Sequence, residues 1–290
     1  MGGITEKIAE FIKEILRGWI EANLTGMFTD LNEKVGTIAD EVGRTPQAWN
    51  GSIFNMVRGL SETVMIPIAG MVISAVLCYE LVSMVMEKNN MHEFDTGLFF
   101  RYLFKAALAA WLLGNCFDMT MAVFDVGSHA VSSAGQYITG TTSLDVETAL
   151  KTMFENSIDL MGIGELLGLG METMFLSFAM KIMSVLITVI LYGRIIEIYL
   201  YISAAPIPFA TWTNREWGTI GSNYFKSLFA LAFQGFFIMV CVGIYAVLVS
   251  GVSVAGNIHS ALWSVAAYTV VLCFSLFKTG SLSRSIFNAH

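Results

Sequence analysis

Long runs without a charged side chain alternate with shorter polar stretches along this chain. Residues 63–79, 106–117, 227–250 and 261–277 contain no Lys, Arg, Asp or Glu. A helix needs about 20 mainly apolar residues to cross a hydrocarbon core of about 30 Å, so these runs with their flanks predict membrane-spanning helices. Helices are expected because lipid cannot satisfy exposed backbone N–H and C=O groups. The pattern therefore predicts an all-α polytopic membrane protein.

The polar flanks of these runs predict about five transmembrane helices. The predicted spans cover residues 64–86, 98–124, 171–202, 225–250 and 261–277. Pro206 and Pro208 follow the third predicted span, and because two prolines in three residues remove backbone donors, we expect a helix break there. The predicted transmembrane domain covers residues 61–290, with an external loop at about 125–170.

Residues 1–60 are more polar and are predicted to form amphipathic helices, outside the cytoplasm, ahead of the spans. Apolar residues recur every three or four positions from Ile4 to Trp19, as on one face of a helix, and Gly18 to Gly26 is expected to interrupt that helix. A second stripe has the 4-3-4-3-4 spacing of a helix–helix seam. It consists of Leu24, Phe28, Leu31, Val35, Ile38 and Val42. The stripe is short, so a seam between copies of the chain, a helix packed on its own domain and a helix at the lipid interface all remain open.

Basic residues are distributed unequally among the polar segments. Residues 87–105 contain three Lys or Arg, whereas residues 125–170 contain one against six acidic residues. Because Lys and Arg stay on the cytoplasmic side, we predict an outside N-terminus, five spans and a cytoplasmic tail in the cell membrane. Arg44 and Arg58 fit this orientation poorly, so a count of six spans remains an alternative.

Composition supports the membrane class and gives no sign of catalysis. Hydrophobic residues make up 55% of the 290 residues and charged residues 13%, against about 25% charged residues in an average soluble domain. The four cysteines and four histidines lack the spacing of metal ligands, and no catalytic or nucleotide-binding motif occurs. The net charge of −7 argues against free nucleic-acid binding by the whole chain. We therefore expect no enzyme activity and no cofactor.

Six polar residues inside or near the ends of the predicted spans are the candidate site residues. A charged residue at the centre of a span costs about 2.5–3.5 kcal/mol on insertion scales, so it calls for a partner or a water-lined surface. Arg194 and Glu197 are three residues apart on one helical face, where they could neutralise each other. The candidate pore-lining or interhelical residues are Glu80, Asp118, Lys181, Arg194, Glu197 and Gln234.

The pattern from residue 192 to residue 235 resembles a known family. Residues 192–210 read YGRIIEIYLYISAAPIPFA, residues 218–226 read GTIGSNYFK, and residues 230–235 read ALAFQG. This pattern is similar to the TrbL-like conjugal transfer membrane proteins, which are polytopic channel components of type IV secretion systems. It looks like the form carried by mobile elements of Gram-positive bacteria, and the predicted layout of spans and loops is similar to that family across most of the chain.

The resemblance implies a membrane channel or scaffold component of conjugation. The implied partners are membrane lipids, further copies of the chain in a homo-oligomer, other type IV secretion subunits and separate ATPases. Single-stranded DNA with its attached relaxase would be the transient substrate. The alternative is a secondary transporter or a small-solute channel subunit, with Pro206 and Pro208 breaking a helix near the solute. The two halves of the sequence show no inverted repeat, which counts against a transporter.

Overall fold

A computed structural model describes residues 2–87, 96–141, 161–214, 216–254 and 257–289. Regular structure in these residues is helical throughout, so the predicted all-α class is confirmed. The regular structure also includes a π-helical turn at Ser61–Met65 and a 3-10 turn at Gly251–Val254. The helices are α1 (Gly2–Gly43), α2 (Pro46–Trp49), α3 (Gly51–Leu60), α4 (Ile66–Glu87), α5 (Thr96–Gly114), α6 (Cys116–Thr141), α7 (Ile163–Ala204), α8 (Pro206–Thr211), α9 (Gly218–Ser250) and α10 (Ile258–Ile286).

Four to five helical stretches are long and apolar enough to cross a membrane, in agreement with the predicted number of about five. Four of them are Gly51–Met86, α7, α9 and α10, and the fifth is a broken pair, α5 followed by α6. The two helices of this pair meet at an angle of 63°, so the predicted span at residues 98–124 is broken near Asn115. The Asn115 side chain at the break donates to the carbonyl oxygen of Trp111 over 2.8 Å, and such competition for a backbone carbonyl bends helices.

Helix α1 is a single helix of 42 residues, so the predicted interruption between Gly18 and Gly26 is wrong. A glycine in a helix costs about 1 kcal/mol relative to alanine. Ile20, Leu24 and Met27 lie in or beside this stretch and are almost completely buried. Burying such a side chain contributes about 1.5–3 kcal/mol, which outweighs the two glycines and keeps the helix continuous.

The described residues form two compact units. The first unit consists of Met1–Val42, Val131–Tyr192 and Phe236–Thr279. Its core joins α1, the end of α6, the first three-quarters of α7, the second half of α9 and the first part of α10. Tyr245 of α9 and Thr269 of α10 share a buried hydrogen bond of 3.1 Å between their hydroxyl groups.

The second unit consists of Gly43–Ala130, Gly193–Gly235 and Gly280–His290. Its main core gathers aromatic and aliphatic side chains of α3, α6, α7 and α9, and a smaller core joins α4, α5 and α8. Helices α6 and α9 approach closely at Gly127, where an added Cβ would lie 2.7 Å from the backbone oxygen of Ala232. A residue without a side chain is therefore needed at this helix crossing.

The predicted loop and domain boundaries are tested only in part. Helix α6 continues to Thr141 and α7 begins at Ile163, so both ends of the predicted loop at 125–170 are helical. Residues 142–160 lie outside the described part of the chain. The external position of the loop and the separate N-terminal domain at 1–60 remain predictions.

Candidate functional site

Arg194 lies on α7 inside the second unit and is 92% buried, with only 8% of its surface exposed. Its Nη2 atom donates to the carbonyl oxygen of Leu231 on α9 over 3.4 Å, a long hydrogen bond. The buried Nε atom has no hydrogen-bond partner among the described residues. The structure therefore holds a guanidinium group between two apolar helices with little local compensation.

Glu197 does not neutralise Arg194 as the spacing suggested. Its carboxylate instead forms an ion pair with the guanidinium of Arg284 on α10, 87 positions further along the chain. Both side chains of this pair are about a third or more exposed, whereas Arg194 is buried between α7 and α9. Residues 194 and 197 therefore point to different surroundings despite their i,i+3 spacing.

Gln234 and Ser283 are two further buried polar residues of the second unit. Gln234 on α9 is buried, and its Nε2 atom lies 3.3 Å from the position that a Cβ on Gly280 would take. Ser283 on α10 is also buried and donates from Oγ to the carbonyl oxygen of Ala230 over 2.5 Å. Polar groups of α7, α9 and α10 are thus enclosed among apolar side chains. Ser283 is not among the predicted site residues, because serine is equally common on exposed helix faces and its burial cannot be predicted from the sequence.

Glu80 on α4 is held by a partner that the sequence did not assign. Its Oε1 atom forms an ion pair with Nζ of Lys105 on α5, and the Glu80 side chain is only 11% exposed. Tyr102, one turn before Lys105, donates from its hydroxyl group to the carbonyl oxygen of Leu77 over 3.3 Å. These contacts join α4 and α5 side by side. The predicted role of Glu80 as an interhelical polar residue stays a prediction for function, with Lys105 as its partner.

Asp118 lies in the first turn of α6, where its carboxylate is exposed and complements the positive end of the helix dipole. The guanidinium of Arg58 is attracted by Asp118 and donates from Nε to Glu62 over 2.8 Å. The Arg58 guanidinium also lies 5.3 Å from the ring centre of Phe117. Asp118 thus belongs to a charged edge near α3.

Lys181 lies on α7 in the first unit, beside α1, whereas the other polar candidate residues belong to the second unit. It lines a cleft of about 500 Å³ together with Asp30, Glu33 and Lys34 of α1. The approach of acidic residues of α1 to Lys181 could not be predicted from the sequence, since the two helices are separated by more than a hundred residues.

The helix break lies at the predicted prolines. Helix α7 ends at Ala204, and Pro206 occupies the first turn of α8, where its missing N–H group leaves no hydrogen bond unmade. After α8, the Asn214 side chain accepts hydrogen bonds from the amides of Glu216 and Trp217 over 2.8 and 3.0 Å.

The candidate oligomer seam on α1 is largely covered by the chain itself. Leu24, Val35, Ile38 and Val42 are buried in the core of the first unit. The side chains of the remaining two members, Phe28 and Leu31, lie outside the described part. An oligomer contact through this stripe remains a prediction that rests on those two positions.

The last two findings concern metal binding and the family to which the chain is similar. Among the described residues, no three His, Cys, Asp or Glu side chains come together as metal ligands. A family model described as TrbL/VirB6 plasmid conjugal transfer like protein matches residues 31–206, more than half of the chain and including the first part of the pattern at residues 192–210. Comparisons with curated proteins and with solved structures give no match. The family match confirms the resemblance, and this multi-pass membrane protein therefore belongs to the TrbL/VirB6 plasmid conjugal transfer-like family, as a component of conjugal transfer by type IV secretion.

Proposed function

We propose that this chain is a non-catalytic channel or scaffold component of a conjugative type IV secretion system in the cytoplasmic membrane. It assembles as a homo-oligomer with other secretion subunits, and the assembly supports passage of single-stranded DNA with its relaxase. Separate ATPases drive the transfer. Family membership supports a role in the secretion machinery. The channel role is proposed in addition to what the family match supports.

The observation that carries the channel role is the set of buried polar side chains on α7, α9 and α10. Arg194, Gln234 and Ser283 are buried between helices that also carry long charge-free stretches. Ionisable groups at membrane depth usually face a bundle interior or a water-filled path, because exposure to lipid is costly. The buried arginine with little local compensation therefore supports a channel role in addition to a scaffold role.

Deletion of the gene, with complementation in trans, tests this function. We expect transfer of the conjugative element to be lost and growth to be unchanged. In the complemented strain, Arg194→Ala is expected to lower the transfer frequency more than Lys278→Ala, because Lys278 is exposed at the cytoplasmic end of α10 in the predicted topology. Replacing Pro206 and Pro208 together with Ala should also impair transfer, by letting α7 continue into α8.

The alternative of a solute transporter or small-solute channel predicts a different outcome. A deletion strain that transfers DNA at the normal frequency but loses uptake of a defined solute would support that alternative and contradict the proposal. Phe28→Asp and Leu31→Asp test the oligomer separately, since a charge in an apolar contact should shift the purified protein to a smaller species on size exclusion. An unchanged oligomer would remove the stripe from the proposed assembly contact.

A further inference from the structure

Helix α1 runs in the same direction as α7 within the first unit. Trp19 packs on Gly170 so closely that no side chain fits at that position. Further along both helices, Nζ of Lys34 donates to Oγ1 of Thr188 over 2.8 Å. Residue numbers increase together at these contacts, so α1 accompanies α7 from about residue 170 to residue 188.

This part of α7 is suited to lipid. Residues 173–193 contain a single charged residue, Lys181, and about 20 residues are enough for a helix to cross the hydrocarbon core. Ile182, Val185 and Val189 on this stretch are exposed to the surroundings of the subunit. Helix α1 is not apolar enough to count as a span, yet it brings charged residues to the same level.

The charged residues of α1 meet Lys181 in an open cleft. The cleft has a volume of about 500 Å³, and six of its seven lining residues are polar or charged. They are Asp30, Glu33, Lys34 and Thr37 of α1 and Lys181 and Ser184 of α7, with Val185 as the one apolar member. Asp30, Glu33 and Lys181 form no ion pair with one another or with other described residues.

Lipid is a poor occupant of this cleft. A charged residue facing lipid near the centre of a span costs about 2.5–3.5 kcal/mol, so four of them would cost on the order of 10 kcal/mol. That cost is as large as the whole stability of many folded domains, which is about 5–15 kcal/mol. The hydrogen bond from Lys34 to Thr188 compensates only one of the four charges.

We infer that the cleft between α1 and α7 is filled with water at the level of the hydrocarbon and lines the polar path of the assembled subunits. The second half of this inference rests on the proposed channel function, whereas the first does not. Two carboxylates and two ammonium groups give the cleft almost no net charge. Such a wall would hold a phosphate chain weakly, and conduction requires binding that is weak enough for the substrate to leave.

Cysteine accessibility tests the inference with two neighbouring positions on α7. In a chain whose four native cysteines are replaced by alanine, Ser184→Cys places a thiol in the cleft and Ile182→Cys places one outside it. Ile182 is 44% exposed and Ser184 is less exposed. If protein contacts alone controlled access, Ile182→Cys would react faster. With lipid around Ile182 and water in the cleft the order reverses, because the reactive thiolate needs water.

The probe is a charged, membrane-impermeant methanethiosulfonate added to membranes that contain the assembled complex. We expect Ser184→Cys to react about ten-fold faster than Ile182→Cys or more, and Thr37→Cys on the facing helix to behave like Ser184→Cys. Retained transfer by each variant shows that it is folded. Equal rates, faster reaction of Ile182→Cys, or no reaction at Ser184→Cys and Thr37→Cys would each overturn the water-filled cleft.

The same experiment separates this inference from the proposed function. Modification of Ser184→Cys during mating should reduce transfer if the cleft lines the path, and the same treatment of Ile182→Cys should not. If the cleft thiols react but transfer continues unchanged after modification, the cleft holds water without lining the path. If deletion of the gene abolishes transfer while the cleft thiols stay unreactive, the channel function stands and the cleft inference fails.

Discussion

Replacing Arg194 with methionine is expected to stabilise the folded protein while impairing DNA transfer. The guanidinium group carries five N–H donors and a charge. Its one hydrogen bond among the described residues is the contact of 3.4 Å from Nη2 to the carbonyl oxygen of Leu231, longer than the usual range of about 2.7–3.2 Å. The free energy of removing the charge from water is therefore largely uncompensated in the folded state.

The expected size of this effect follows from the desolvation of the charge. A buried ion loses several kcal/mol of hydration, and exchanging buried ionic groups for apolar ones of similar volume often stabilises a protein by about 1–4 kcal/mol. A hydrogen bond of a charged group contributes about 1.5–3 kcal/mol at ordinary length, and the bond of 3.4 Å is weaker, so its loss costs about 1 kcal/mol. We expect Arg194→Met to raise the free energy of unfolding by about 1–3 kcal/mol, which corresponds to a rise of several degrees in Tm.

Thermal unfolding of the purified protein in one detergent, followed by tryptophan fluorescence at a fixed scan rate, measures this change. Arg284→Met is the matched control, because Arg284 makes a partly exposed ion pair with Glu197 and should change stability by less than about 1 kcal/mol. Ile198→Ala, at a buried position one helical turn from Arg194, shows the effect of a lost core contact. If Arg194→Met lowers Tm as much as Ile198→Ala does, Arg194 stabilises the fold and the reasoning is refuted.

Three further sets of substitutions test the packing and the orientation of the chain. Gly127→Ala should destabilise the protein by about 1–2 kcal/mol in the same unfolding assay, because overpacking against Ala232 exceeds the gain in helix propensity. Gly168→Ala is the control: nothing lies within 4 Å of its added Cβ, so it should stabilise the protein by up to about 1 kcal/mol. Equal effects of the two substitutions would contradict the close helix crossing. Lys105→Met should lower stability by about 1–3 kcal/mol by leaving the Glu80 carboxylate without its cation, and Glu80→Gln in that background should restore much of the loss. Thr219→Cys, at an exposed position after α8, should react with an impermeant thiol reagent only in opened cells, and reaction in intact cells would reverse the predicted orientation.

The number of membrane-spanning helices could be predicted from the sequence because the signal is local. A charge-free run such as residues 227–250 can be read without knowing its neighbours, and the structure has α9 there. Helix continuity is less local. Gly18 and Gly26 suggest an interruption, but the burial of Ile20 and Leu24 against other helices keeps the helix continuous. Such tertiary contacts cannot be predicted from the local sequence around the glycines.

The partners of the polar residues could not be predicted for a related reason. The i,i+3 rule describes only pairs on one helix, and Glu197 finds Arg284 on another helix 87 positions away. Glu80 and Lys105 are 25 positions apart and meet because α4 and α5 pack side by side. The sequence identified charged residues inside apolar segments, and such residues need an oppositely charged or hydrogen-bonding partner. Only the packing of the helices showed which residue is that partner.

Helix α7 has a length that bears on the bilayer around it. Its 42 residues measure about 63 Å at 1.5 Å per residue, whereas a hydrocarbon core of about 30 Å takes up only about 40 Å of helix even at a steep tilt of about 40°. Exposed apolar side chains recur along the helix from Met171 to Leu200. Its lipid-compatible stripe is thus longer than the hydrocarbon it crosses. The edge of a thinner or thicker bilayer can therefore meet exposed apolar side chains at several levels of α7, so this helix is expected to tolerate membranes of different thickness.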